Sequence, residues 1–75
     1  MKLSCAKKGR EYKIIKIKTN DEEQNLFLLK IGFYDGEKIM VKNVSKNNLV
    51  INVKGSNYNI DRELAGCIDV AESDF

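Results

Sequence analysis

Apolar and polar residues alternate along much of this chain, and the places where the alternation breaks are as informative as the runs themselves. Residues 10–18, Arg-Glu-Tyr-Lys-Ile-Ile-Lys-Ile-Lys, predict a strand with Tyr12 and Ile14 on one face and Ile15 and Ile17 on the other. Side chains on a strand alternate with a period of two, so the adjacent Ile14–Ile15 pair predicts a bulge or a sharp bend. Small barrels need such bends to close. Lys38–Val44 is a second strand, with Ile39 and Val41 on one face. The polar turn Ser45–Asn48 follows, and Asn47-Asn48 tolerates left-handed backbone. Leu49–Lys54 alternates cleanly, with Leu49, Ile51 and Val53 together. Gly55-Ser56-Asn57 turns the chain again into a short strand, Tyr58–Ile60, and Cys67–Val70 is the last strand. Residues 71–75 are expected to fray.

Two segments have a helical period instead. Thr19-Asn20-Asp21 offers a cap, and the acidic Asp21, Glu22 and Glu23 suit the positive end of a helix dipole. From Glu22 to Ile31, Leu26 and Leu29 fall at helical spacing, with Phe27 and Ile31 as a second apolar stripe, which predicts a short amphipathic helix. Gly32 fits the left-handed position that ends it. Asp61–Ala65 predicts one helical turn capped by Asp61. Gly9, Gly36 and Gly55 punctuate the remaining turns. A strand, a short helix and then closely spaced short strands predict a mainly β domain. The pattern is that of a small SH3-like barrel of about five strands, with one short helix in the first long loop. Residues 1–75 are read as a single domain.

Composition narrows the possible functions. With 43% apolar and 32% charged residues the chain is an ordinary folding sequence. Its apolar run Leu26–Leu29 falls far short of the roughly 20 residues a membrane span needs. No secretory signal opens it, so a cytosolic protein without membrane insertion is expected. There is no histidine, no phosphate loop and no nucleophile motif, which argues against an enzyme. Cys5 and Cys67, 62 positions apart, read as two reduced thiols, since a closed metal site would need further ligands. The net charge is +2, but residues 1–18 hold Lys2, Lys7, Lys8, Arg10, Lys13, Lys16 and Lys18 against Glu11 alone. Such asymmetry marks a nucleic-acid or membrane-surface patch, or a solvated strand face. An RNA-binding barrel needs exposed aromatics beside its basic groove. Tyr12 and Tyr58 run in phase with apolar strand residues and are expected in the core, so nucleic acid is not the expected partner.

The residues around the helix end carry a resemblance. Leu3-Ser4, the Lys7-Lys8-Gly9 turn, Leu26 through Leu28-Leu29-Lys30-Ile31-Gly32-Phe33-Tyr34-Asp35-Gly36, and Gly55, Tyr58-Asn59-Ile60, Leu64-Ala65 and Ile68-Asp69-Val70 together resemble the ferrous iron transport protein A (FeoA) family over about residues 3–70. Two departures stand out: Val44–Asn48 lacks the proline-containing loop usual in that family, and Asn25-Leu26 stand where it often has arginine. The resemblance implies a cytosolic accessory of bacterial ferrous iron uptake, binding the cytosolic part of the FeoB membrane transporter and GTPase. Association with Fe²⁺ is implied by the family alone, and no cofactor is expected from the residues. The same barrel in metal-dependent repressors of the diphtheria toxin repressor class gives an alternative, a stand-alone domain of that kind. An RNA-binding small barrel is another.

For partner contact the candidates are Phe27, Leu28, Phe33 and Tyr34, some of which are expected to form an exposed apolar patch. Phe27 and Leu28 are adjacent on the helix and cannot both join its Leu26–Leu29 stripe. Phe33 and Tyr34 lie on the turn after Gly32. Exposed edge strands leave self-association open.

Overall fold

A computed structural model describes residues 1–73. Five strands form one antiparallel sheet in the order β4-β3-β2-β1-β5: β1 is Glu11–Ile17, β2 Lys38–Val44, β3 Asn48–Val53, β4 Ser56–Asp61 and β5 Ile68–Glu72. Helix α1, Glu22–Lys30, lies in the long β1–β2 connection, and the single turn α2, Arg62–Ala65, joins β4 to β5. This is the SH3-like arrangement the sequence predicts. A short 3-10 turn, Leu3–Cys5, precedes β1 and buries Leu3; the apolar alternation does not predict it.

Two bulges shape the sheet. The β1–β5 register shifts between Ile14 and Lys16, where the Ile14–Ile15 pair predicts it. Tyr12 and Ile14 point inward, Ile15 and Lys16 both point out, and Ile17 returns to pack on the core. The expectation that Ile15 and Ile17 share a face is therefore corrected, because the extra residue resets the phase between them. A second shift, between Val41 and Asn43 of β2, does the same: Lys42 and Asn43 face out and Val44 packs on the core.

The core runs through every element, with Tyr12, Ile14, Leu28, Phe33, Ile39, Val41, Leu49, Ile51 and Ile60 fully buried. Tyr12 enters it whole because its hydroxyl accepts a hydrogen bond from the Lys7 N–H at 2.9 Å, which satisfies its one polar atom. Tyr58 is half-buried against the same core, as expected. Asp61 caps α2 by accepting from the Leu64 N–H at 2.7 Å. The Arg62 guanidinium donates to the Ser4 carbonyl at 2.9 Å and the Ser45 carbonyl at 3.1 Å, tying α2 to both neighbouring turns.

Two features differ from expectation. Ala71 and Glu72 belong to β5 rather than to a frayed tail, and Ser73 N–H donates to the Glu11 carbonyl at 3.1 Å. The expected fraying at 74–75 lies outside the described residues. Left-handed backbone occurs not at Asn47-Asn48 but at Lys54 (φ 53°), next to Gly55 (φ 84°), in a two-residue hairpin between Val53 and Ser56. Gly9, Gly32 and Gly36 also have positive φ, as turn residues should.

Candidate partner-binding surface

Helix α1 begins in a local network. Asp21 accepts from the Gln24 N–H at 3.2 Å, and the Thr19 hydroxyl oxygen accepts from the Asp21 N–H at 3.2 Å. Glu22 and Glu23 in the first turn and Lys30 in the last suit the helix dipole. Its end is a Schellman motif: the Gly32 N–H donates to the Leu29 carbonyl at 3.2 Å and the Phe33 N–H to the Leu28 carbonyl at 2.9 Å. Gly32, at φ +86°, occupies the left-handed position.

That motif decides which side chains face the core. It brings the residue after the glycine back against the third residue from the helix end, and these are Phe33 and Leu28. Both are buried. This corrects the placement of Leu28 and Phe33 in an exposed patch, since their mutual contact closes the helix end. Phe27 and Tyr34 are exposed as expected, at 39% and 42%. The stripe expected to face the core, Leu26 and Leu29, is the most exposed of all, at 64% and 59%. With only Leu28 of α1 buried, the helix rests on one side chain and turns its Leu26–Leu29 stripe to the surface. The glycine at 32 is the signal that could have identified Leu28 as the anchor.

Of the four exposed side chains, Leu29 and Tyr34 line a shallow groove of about 430 Å³. Ile17, Leu28, Leu29, Phe33 and Tyr34 line it, with Asn25 and Asp35 as its polar members. Tyr34 is held from the far side by Lys54, whose ammonium lies 5.7 Å from the ring centroid and 3.3 Å from the Glu37 carboxylate. The Lys54 stem crosses directly over Gly32, so that a Cβ there would lie 2.6 Å from Lys54 Cε. The left-handed Lys54-Gly55 turn thus clamps the groove's rim to the β3–β4 hairpin. Lys54 was not among the sequence candidates, because its role depends on a hairpin 20 residues beyond Tyr34 folding back over it.

A second depression of about 340 Å³, beside Gly9, Arg10 and Met40, is closed on one side by the Arg10–Glu72 ion pair at 2.9 Å. Cys5 and Cys67 are free thiols. Among the described residues no three histidine, cysteine or acidic side chains come together as metal ligands, so the donor set does not fit a resident iron. No helix among these residues is long and apolar enough to cross a membrane.

Residues 1–72 match the FeoA domain family. No curated protein sequence matches the chain. Among solved structures, the chain resembles an iron uptake regulatory protein (FeoA) at a TM-score of 0.86 and 23% identity, over 97% of each chain. It resembles iron(II) transport protein A from Clostridium thermocellum at 0.85 and 26% identity, over 96% of this chain and 45% of that one. A manganese-dependent transcriptional repressor superposes at 0.85 with 13% identity, over 97% of this chain and 41% of the repressor.

Proposed function

The chain belongs to the FeoA domain family, and from that premise we propose that it is a cytosolic accessory of bacterial ferrous iron uptake, binding the cytosolic part of a FeoB-type transporter. The observation that carries this reading is the α1 surface. Leu29 and Tyr34, both exposed, line one apolar groove with Ile17, Leu28 and Phe33, and Leu26 and Phe27 are exposed on the same helix; the other exposed large apolar residues among those described, Met1 and Ile15, lie elsewhere. Contiguous exposed apolar area of this kind marks protein contact sites. Aromatic anchors beside a groove are the usual centre of such contacts. The departure at Asn25-Leu26 falls within this surface, so the partner contact here is apolar where an arginine would make it charged.

The test is binding of the purified chain to the cytosolic domain of a FeoB-type transporter. Leu29→Ser and Tyr34→Ala each lower affinity about tenfold or more if they are anchors. Lys46→Gln, in the exposed β2–β3 turn, leaves it unchanged. Absence of binding by the wild-type chain, or indifference to both changes, defeats the proposal. The likeness to the repressor supports a second reading, in which the same groove docks the barrel onto a larger regulatory chain. Selective capture of a DNA-binding chain, with none of the transporter domain, would favour that one.

A further inference from the structure

The basic strand at the start of the chain plays no part in the groove. It forms a separate face. The β1 bulge turns Ile15 and Lys16 outward together, beside Lys13 and Lys18, all exposed. Lys13 sits directly opposite Lys38 of β2 on one side and Ala71 of β5 on the other. Like charges directly opposite on a sheet repel, and neither lysine has an acidic partner among the described residues.

Asp69 is the carboxylate within this group. Lys16 lies opposite it on β1, the Lys2 backbone pairs with it from the other side while the Lys2 ammonium donates to the Gly66 carbonyl at 3.2 Å, and the Lys18 ammonium is 2.7 Å away. The Lys18 hydrogen bond holds its carboxyl below the ordinary value of 3.8; partial desolvation opposes this, and the charges of Lys18 and Lys2 add to the lowering. Among the described residues, Asp69 is thus a carboxylate set among lysines. Glu11, with the Arg10–Glu72 pair beyond it, bounds the face at one end, and Asp35 lies in the turn at the other.

We propose that this face, Lys2, Lys13, Lys16, Lys18 and Lys38 around the exposed Ile15, docks on the surface of an anionic phospholipid bilayer. Three observations select a lipid surface over a single-stranded nucleic acid. Among the described residues the face carries no aromatic platform for bases, since Tyr12 and Phe33 are buried and Tyr34 lines the α1 groove. Its cations are all lysines, point charges on flexible stems that suit a diffuse negative plane better than the directed forks of arginine. Ile15, 51% exposed among them, supplies an apolar tip for the headgroup boundary. None of these residues lines the α1 groove, so a chain held on a bilayer keeps that groove open to a membrane-embedded partner.

The test is co-sedimentation of the full chain with vesicles of equal parts phosphatidylglycerol and phosphatidylcholine, against phosphatidylcholine alone. Binding is expected to the mixed vesicles only, and to be lost at about 0.5 M salt as screening shortens the Debye length. Lys13→Gln and Lys38→Gln each lower partition about fivefold, the worth of one lysine near an anionic surface. Asp69→Asn raises partition by a similar factor, while Lys46→Gln leaves it unchanged. All these side chains are exposed or half-exposed, and circular dichroism checks that each variant is folded. Equal binding to both vesicles, lysine variants that behave as wild type, full competition by soluble glycerophosphoglycerol, or tighter binding to polyuridylate at the same salt would each overturn the proposal. The vesicles contain no transporter, so this result and that for the transporter domain are independent.

Discussion

Replacing Gly32 with alanine tests the clamp at the rim of the groove. Two separable costs are expected. The left-handed backbone at φ +86° costs a residue with a Cβ about 1–2 kcal/mol. The added methyl would lie 2.6 Å from Lys54 Cε and 2.8 Å from Cδ, so the lysine stem must move. Because those atoms are the far end of a flexible chain, displacement rather than collapse is expected. Displacement forfeits the cation–π contact with Tyr34, worth about 0.5–1 kcal/mol. It also forfeits the half-exposed pair with Glu37, worth about 0.2–1 kcal/mol. The total is about 2–4 kcal/mol, a large share of the roughly 4–11 kcal/mol expected for a domain of 75 residues. Urea unfolding of the wild type, Gly32→Ala, Lys54→Ala and the double variant separates the two parts. In the Lys54→Ala background the glycine change should cost only its backbone part, about 1–2 kcal/mol. An equal cost in both backgrounds would refute the steric route through Lys54. A cost below about 0.5 kcal/mol in the wild type would refute the need for a left-handed residue at 32.

Phe33→Ala removes a fully buried ring that closes the end of α1, so a loss of about 3–5 kcal/mol is expected in chemical denaturation. Tyr34→Ala, one residue on and 42% exposed, should cost no more than about 1 kcal/mol; similar losses at both sites would contradict the burial assignment. The depressed carboxyl of Asp69 predicts an acid-sensitive increment of stability. That increment is complete above the unfolded value near 3.8 and disappears as pH falls through the lower folded value. Melting temperatures of the wild type and Asp69→Asn should therefore converge as pH is lowered from 6 toward about 3, and parallel profiles would show that the Lys18 contact contributes nothing.

The chain's own pattern determined the order of strands and helices, the inward faces of Tyr12–Ile14, Ile39–Val41 and Leu49–Val53, and the Asp61 cap, because alternation, cap residues and glycines act within a few residues. The Ile14–Ile15 break correctly located the β1 bulge. The spacing from Val41 to Val44 matches that from Ile14 to Ile17 and carries the β2 bulge. The glycine framework was also enough to identify the family. Which side of α1 faces outward was a different matter. Apolar spacing marked Leu26 and Leu29 as a stripe, but a stripe does not state whether a core or a partner covers it. That was decided by the Phe33–Leu28 contact across Gly32, which leaves the short helix resting on one side chain. Tertiary structure alone placed Lys54 over Tyr34, set Lys13 against Lys38 and brought Lys18 onto Asp69. These contacts join residues 20 or more positions apart, and only the register of the strands brings them together.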